Sequence, residues 1–423
     1  MSYKNIYILG VGGSGMSSIA KYLKQKGDNV IGYDQRKSYV TNLLNQDGIK
    51  VVHTLDEITY KPESLYIYSS AIPIESDRFE DFYDKENVLS RPEYLKNLSE
   101  NHKIIGITGT HGKTSTTALL SHIFHFNNVN VSYLYGGITT FNGIGGHYGD
   151  PDQPLILETD EAFNTFEKIK ISDLLVLNVD SDHLDYFKNL DNYKDAFYKV
   201  MKNVTDNLVI NNDDLNIKSM KDLKNPVSYG KDTSADFKVQ SPGNFKYENN
   251  KYEIKSDIIG DHFKSNMLGA IILALLNGIE IKDSLNAIES FAGVKRRIEL
   301  IGISKGVLIY DDYGHHPTEM EATITALKQQ TESKLYVVFQ PHRYTRTMEY
   351  FNSFKDSLKL ADFAIVTDIY PAGESPIPGI SSKNFEEESI KYLKSIRYVP
   401  EYLSKKVQNG DIVLTLGAGD ITL

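Results

Sequence analysis

The run Ile104-Ile-Gly-Ile-Thr-Gly-Thr-His-Gly-Lys-Thr-Ser-Thr-Thr-Ala118 constrains this chain more than any other segment. Three apolar residues in its first four mark a strand buried in a sheet. Gly109-Thr-His-Gly-Lys-Thr114 is a glycine loop ending in Lys-Thr, and Ser115 to Phe126 has the pattern of a helix. Strand, glycine loop, lysine, hydroxyl and helix together make a phosphate cradle. Glycines let backbone N–H groups approach phosphates, and the helix N-terminus adds partial positive charge. Lys113 can reach terminal phosphates, and Thr114 can ligate magnesium. The expected nucleotide contacts are Gly109, Thr110, His111, Gly112, Lys113, Thr114 and Ser115, with Mg2+ beside the phosphates. The common phosphate loop has four residues between its first glycine and its Gly-Lys. Here only Thr110 and His111 intervene.

A chain of 423 residues is too long for one ordinary core, so two to three domains are expected. No apolar run approaches the roughly 18 residues that span a membrane. The first residues, Met1 to Gly10, run straight into a strand-like segment and lack a signal-peptide pattern. There is no cysteine, which excludes disulfides, thiolate metal sites and cysteine catalysis, and makes the cytoplasm the default compartment. With 46 basic against 56 acidic residues the net charge is −10, which argues against a general nucleic-acid surface.

Three α/β segments follow one another. In the first, 1–98, a strand runs into Gly10, Gly12, Gly13 and Gly15, and a helix continues to Gln25. A second strand, Asn29 to Tyr33, is followed by Asp34. This is a Rossmann-like fingerprint, which alone suggests NAD and an oxidoreductase. Ser69-Ser-Ala-Ile-Pro73 is, on its residues, compatible with a plain turn.

The second segment, 99–294, carries the cradle. Pro154-Leu-Ile-Leu-Glu158 ends in an acid. Asp173 to Asp180 is a further strand, ending just before Ser181-Asp182-His183. Sites in parallel sheets form beyond the carboxyl ends of strands, so Glu158 and His183, with Thr114, are expected to hold magnesium beside the triphosphate. Asn211-Asn-Asp-Asp214 has the composition of a solvated turn. Gly260 to Asn266 precedes an apolar helix ending near Gly278.

The third segment, 295–423, alternates strands at 306–311, 334–339, 363–367 and 412–416 with helices, which predicts a second Rossmann-like sheet. Four polar loops follow those strands: Asp311 to Glu319, Gln340 to Thr347, Asp368 to Glu374 and Gly417 to Asp420. Four such loops at one sheet edge form a site. Arg343 and Arg346 suit recognition of a carboxylate through paired N–H donors.

Gly-Thr-His-Gly-Lys-Thr resembles the Mur ligases, which build the peptide of bacterial cell walls, and specifically their branch acting on UDP-N-acetylmuramate. Gly-x-Gly-Gly-x-Gly-Met, Ser-Ala-Ile-Pro, Glu158-Thr-Asp-Glu161, Asp182-His183, Asp-Asp-Tyr-Gly-His-His-Pro-Thr-Glu and Phe-Gln-Pro-His-Arg-Tyr-Thr-Arg-Thr extend the resemblance over essentially the whole chain. It implies a bacterial cytoplasmic, ATP-dependent amide-bond-forming ligase with three domains. These are an N-terminal Rossmann-like domain, a central P-loop ATPase-like domain with a mostly parallel sheet, and a C-terminal Rossmann-like domain. It implies UDP-N-acetylmuramate and L-alanine as substrates. Gly12, Gly13, Ser14, Gly15, Met16, Asp34, Ser70 and Ala71 would hold the UDP substrate. Asn266 and Arg297 would contact ATP. Tyr313, His315, His342, Arg343 and Arg346 would line the amino-acid side, and Lys113, Glu158, His183, His315 and Arg297 would carry the chemistry. Glu161 is the fallback acid.

The chain departs from the family pattern in four places. Phe163 stands where the family often has Asp, and Phe263 replaces the first Asn of His-Asn-x-x-Asn. No carbamylated lysine can be assigned, the nearby Lys194 and Lys199 having the pattern of an exposed helical face. Relatives usually continue past Leu423 into a final helix. Three other readings compete: a ligase adding a preformed peptide, the NAD-dependent oxidoreductase, and a silent UDP-sugar-binding regulator. The Lys-Thr of the second glycine loop counts against the oxidoreductase, and Lys113, Glu158 and His183 count against the regulator.

Overall fold

Short apolar strands alternating with helices put a largely parallel sheet in each of the three segments. The computed structural model describes residues 3–182 and 184–422. They divide into two compact units. One runs to Ser256 and adds Lys264–Ala292; the other comprises Asp257–Phe263 and the chain from Gly293 onward.

The first unit contains two sheets. The smaller has five parallel strands in the order Lys50–Val52, Val30–Tyr33, Asn5–Leu9, Ser64–Tyr68, Val88–Ser90. Successive strands are added on one side of Asn5–Leu9 and then on the other, so the glycine loop after Leu9 sits at the switch point where such sheets bind ligands. The larger sheet has ten strands. At its centre Ile104–Thr108 lies between Asp173–Val176 and Leu155–Glu158, all parallel. Ile104, Ile105 and Ile107 are fully buried, as their run of apolar side chains requires.

The two sheets share one hydrophobic core. The helix Ser14–Lys26 packs on the hairpin formed by Ser132–Thr139 and Gly143–His147. A Cβ on Gly146 would fall 2.0 Å from the Ser18 carbonyl oxygen, so only glycine permits this approach. Lys21 of the helix donates its ammonium to the carbonyls of Asn142 and Ile144. The first two segments therefore form a single unit.

The second unit holds six strands in the order Glu299–Ser304, Val307–Asp312, Ile412–Leu416, Leu335–Phe339, Phe363–Val366, Ile390–Tyr392, all parallel except the first pair. Asp312 and Phe339 both register with Leu416, and Phe339 with Val366. The four polar loops thus leave the sheet along one edge.

Sequence periodicity missed the antiparallel additions. These are the Ser132–His147 hairpin, the meander Phe237–Ser241, Asn244–Tyr247, Asn250–Glu253, and the edge strand Glu299–Ser304. The meander and edge strands are short and largely exposed, the hairpin is rich in glycine, and the meander is held by ring stacking such as Phe237 on Tyr247 at 4.0 Å. The strand expected over 173–180 ends at Val176, because the polar groups of Asn178 turn to the glycine loop. No helix among the described residues is long and apolar enough to cross a membrane.

Candidate active site

Gly109, at φ +143°, and Gly112, at φ +87°, let the loop after Thr108 turn into the helix Lys113–Phe126. Asn178, a residue not singled out from sequence, fastens the loop. Its Oδ1 accepts from the His111 N–H at 2.8 Å, its Nδ2 donates to the His111 carbonyl at 3.0 Å, and its own carbonyl accepts from the Thr110 N–H at 3.2 Å. The Thr110 hydroxyl lies 3.0 Å from the Tyr193 hydroxyl and accepts from the Asp180 N–H at 2.8 Å. His111 Nε2 is 3.3 Å from an Asp180 carboxylate oxygen. A Cβ on Gly112 would fall 2.4 Å from Asn266 Nδ2, so Asn266 packs directly on the loop, whereas Phe263 is buried.

Lys113 folds over the loop. Its Nζ donates to the carbonyls of Gly109 at 2.6 Å and Thr110 at 3.1 Å, and to Glu161 at 2.9 Å. Burial would lower its pKa, but Glu161, Asp160 and Glu158 outweigh that and raise it, so the ammonium stays charged. Glu158 occupies the end of its strand. Its Oε1 accepts from the Thr114 hydroxyl at 2.7 Å and its Oε2 from the Gly136 N–H at 2.6 Å. Thr114 and Glu158 thus present adjacent hard oxygen donors beside the cradle, the ligand chemistry that magnesium takes. Glu161 is instead committed to Lys113. His183 lies outside the described residues. Lys199 is exposed and pairs with Asp195 at 2.8 Å on the outer face of the helix Leu190–Lys202.

The first glycine loop is shaped by Asp34, whose Oδ2 accepts from the Gly12 N–H at 2.9 Å and whose Oδ1 accepts from the Arg36 N–H at 3.0 Å. The carboxylate that a dinucleotide reading assigns to a ribose is engaged by the loop itself. Gly13 is the N-cap of Ser14–Lys26, with no side-chain cap, and Gly15 lies against the Arg91 guanidinium. Met16 is buried in the core, and its N–H donates to the Gly13 carbonyl, so its side chain serves packing. Ser70 and Ala71 are exposed, just past the end of Ser64–Tyr68.

In the second unit the four-loop edge gathers the remaining residues. Arg296, missed from sequence, donates Nε to Asp311 at 2.9 Å and Nη2 to the Gly417 carbonyl at 2.7 Å, tying two loops together. The guanidinium groups of Arg296 and Arg297 lie 5.2 and 5.3 Å from the Tyr313 ring centre. His315 Nδ1 is 3.1 Å from the Tyr313 carbonyl, and its ring is 6.0 Å from that of His342. Burial, then the charges of His315, Arg346 and Arg343, bring the His342 imidazole down to about 4, so it is neutral near pH 7. Arg343 donates Nε to Glu374 at 2.6 Å. Asp312 is buried and accepts from the N–H groups of Gly314 and Ile298 at 2.7 and 2.8 Å.

Phosphate cradle, paired acids and parallel sheets define a nucleotide-binding α/β protein of the phosphate-loop class. Comparison with known proteins carries this further. Three family models match in chain order: "Mur ligase family, catalytic domain" over residues 5–103, "Mur ligase middle domain" over 107–274, and "Mur ligase, glutamate ligase domain" over 296–419. The chain belongs to the Mur ligase family. It is 36% identical over 440 residues to the UDP-N-acetylmuramate–L-alanine ligase of Caldicellulosiruptor saccharolyticus, covering 98% of this chain and 96% of that protein. To the enzyme of the same name from Dictyoglomus turgidum it is 35% identical over 446 residues, covering 100% and 95%. Among solved structures, the UDP-N-acetylmuramate–alanine ligase of Thermotoga maritima superposes with a TM-score of 0.82 at 24% identity, covering 99% of this chain and 96% of that one. A murein peptide ligase from Psychrobacter arcticus gives 0.72 at 22%, with the same coverage. The three-domain α/β fold expected from sequence is the fold found.

Proposed function

We propose that the protein joins L-alanine to the lactyl carboxylate of UDP-N-acetylmuramate at the expense of ATP, in the cytoplasm, as a step of peptidoglycan precursor synthesis. Residues 1–98 bind the UDP sugar, 99–294 bind ATP and 295–423 bind the amino acid. The observation that carries this reading is the cradle, where Lys113 and Thr114 each meet a separate acid, in a chain whose full-length relatives bear that activity.

A carboxylate does not acylate an amine at neutral pH, because hydroxide leaves too poorly. Transfer of the ATP γ-phosphoryl group to the carboxylate makes an acyl phosphate, with ADP released. The amine of L-alanine attacks the acyl carbon, and the tetrahedral intermediate expels phosphate. What the protein adds is alignment and charge neutralisation. Lys113, held charged by its acidic neighbours, stabilises the transferring phosphoryl group. The loop N–H groups, braced by Asn178, cradle the phosphates. Thr114 and Glu158 would hold magnesium, which would screen the phosphate charge. Asn266 and Arg297 serve the nucleotide. Gly12, Gly13 and Gly15 admit the diphosphate. Tyr313, His315, His342 and Arg346 line the amino-acid side.

Phosphate release tests the proposal. It should require UDP-N-acetylmuramate, ATP and magnesium, and turn over steadily only with L-alanine. Steady turnover only with an L-alanine-headed peptide would assign the peptide-adding activity instead.

A further inference from the structure

We propose that Glu374 is a positioning residue of the amino-acid pocket, holding the loop that carries His342 and Arg346 in its working shape. This rests on reading the four-loop edge as the L-alanine site.

The loop beginning at Gln340 follows Leu335–Phe339, and the loop Asp368–Glu374 follows Phe363–Val366. The two strands are neighbours. Between them Arg343 adopts φ +73° and ψ 137°. An L-residue keeps such a backbone only where its surroundings hold it.

Glu374 supplies much of that hold. Its Oε1 accepts from Arg343 Nε at 2.6 Å and from the Thr345 hydroxyl at 2.6 Å, and its Oε2 accepts from the Thr345 N–H at 3.0 Å. One carboxylate therefore grips the backbone two residues beyond the strained position and the side chain at that position. The rest of the clamp is two main-chain hydrogen bonds and one ring stack. The Arg343 N–H donates to the Tyr370 carbonyl at 2.9 Å, and the Tyr370 N–H donates to the Pro341 carbonyl at 2.8 Å. The His342 ring stacks on Tyr370 with centres 5.5 Å apart and planes 10° from parallel. Burial pushes the Glu374 carboxyl up, but the Thr345 bonds and Arg343 outweigh it and bring it to about 2, so the grip persists across the working pH range.

The two arginines then divide their work. The Nε of Arg343 is spent on Glu374, so Arg343 sets the loop, while Arg346 on the following helical turn takes the amino-acid carboxylate. The sequence expectation of two converging forks becomes one fork and one brace.

The test compares Glu374→Gln, Thr345→Val and Arg346→Ala by steady-state kinetics and thermal unfolding. Glu374→Gln should raise KM for L-alanine roughly ten- to hundredfold. KM for ATP and for UDP-N-acetylmuramate should stay within about twofold, and the unfolding midpoint should be nearly unchanged. Thr345→Val, at an exposed residue, should raise the same KM several-fold. In an Arg343→Ala background, Glu374→Gln should add little, because both changes break one clamp. The positioning role is overturned if Glu374→Gln leaves KM for L-alanine alone while Arg346→Ala raises it. It is equally overturned if all three KM values and the unfolding midpoint move together, which marks a fold residue. If Arg346→Ala also leaves KM for L-alanine unchanged, the pocket reading itself falls.

Discussion

Glu161 meets Lys113 Nζ with both carboxylate oxygens, at 2.8 and 2.9 Å, and Glu161 is 1% exposed. The lysine we assign to the phosphates is thus half of a buried ion pair. Removing one partner of such a pair strands the other and costs about 3–5 kcal/mol. Lys113→Ala should therefore lower kcat by about 10²–10³-fold, the usual loss for one transition-state contact, and should also lower the unfolding midpoint. Lys113→Ala combined with Glu161→Gln should regain the midpoint without regaining activity. A single variant of normal stability and near-normal turnover would refute both roles.

Glu158 and Glu161 are expected to separate cleanly in a magnesium titration. Glu158 sits on the Thr114 hydroxyl at 2.7 Å, whereas Glu161 sits on the ammonium. Glu158→Gln removes a charged oxygen ligand and should raise the magnesium concentration for half-maximal activity. Glu161→Gln should lower kcat with little change in that concentration. The reverse pattern would exchange the two assignments.

The cradle was legible because strand, loop, lysine and helix are contiguous from Ile104 to Phe126, and each piece has a local signature. The polar sheet edge was legible for a related reason: strand ends can be counted, and parallel sheets put them on one side. What was not legible depends on partners distant in sequence. Asn178 braces His111 from 67 residues away, Tyr193 meets Thr110 from 83 away, and Glu374 reaches Arg343 across 31. A polar residue at a strand end has the same sequence appearance whether it faces solvent or a loop. Gly143-Ile-Gly-Gly-His147 gave no strand signal, since Gly146 answers to the close approach of the helix Ser14–Lys26 and Gly145 to the Tyr135 ring on the paired strand, and not to strand propensity.

The first glycine loop offers a substitution that spares the fold. A Cβ on Gly12 would fall 2.7 Å from Asp34 Oδ2, and one on Gly15 2.9 Å from Arg91 Nε. On Gly13 the nearest atom is the Gly10 carbonyl oxygen at 3.4 Å, an ordinary contact, and its φ of −67° suits any residue. Gly13→Val should fold normally yet lose UDP-N-acetylmuramate binding in calorimetry, because its side chain occupies space needed by the diphosphate. Saturable NAD binding by the wild type, with no heat from the UDP sugar, would reverse the assignment of this loop.

Asp312 should leave a signature in the pH dependence of stability. Burial raises its carboxyl from 3.8 to about 6, against the opposing pull of Arg297 and two N–H donors. The folded state therefore binds the proton more tightly than the unfolded state. Its stabilising contribution is complete below about pH 4 and is lost as pH rises through 6, at up to about 1.4 kcal/mol per pH unit. Denaturant titrations of wild type and Asp312→Asn should show wild type gaining relative stability on acidification across that window, with a constant difference above it. A difference that does not change between pH 4 and 6 would mean that Asp312 titrates normally.

We assign to Arg346 the choice of what enters the C-terminal pocket. L-Alanine has little to recognise besides its carboxylate and its amine. With Arg343 braced by Glu374, the planar fork of Arg346 is the donor set we assign to the carboxylate. Hydrogen bonds to a charged group contribute about 1.5–3 kcal/mol, or roughly 10–150-fold in binding. Arg346→Ala should raise KM for L-alanine by that factor and leave KM for ATP nearly unchanged. Arg346→Lys should rescue poorly, since an ammonium cannot offer two parallel N–H groups. Arg343→Ala should also raise this KM, but through the loop, so Arg343→Lys should rescue in part by keeping a charge beside Glu374. Rescue by lysine at 346 and not at 343, measured at saturating ATP and UDP-N-acetylmuramate, would exchange the roles of the two arginines.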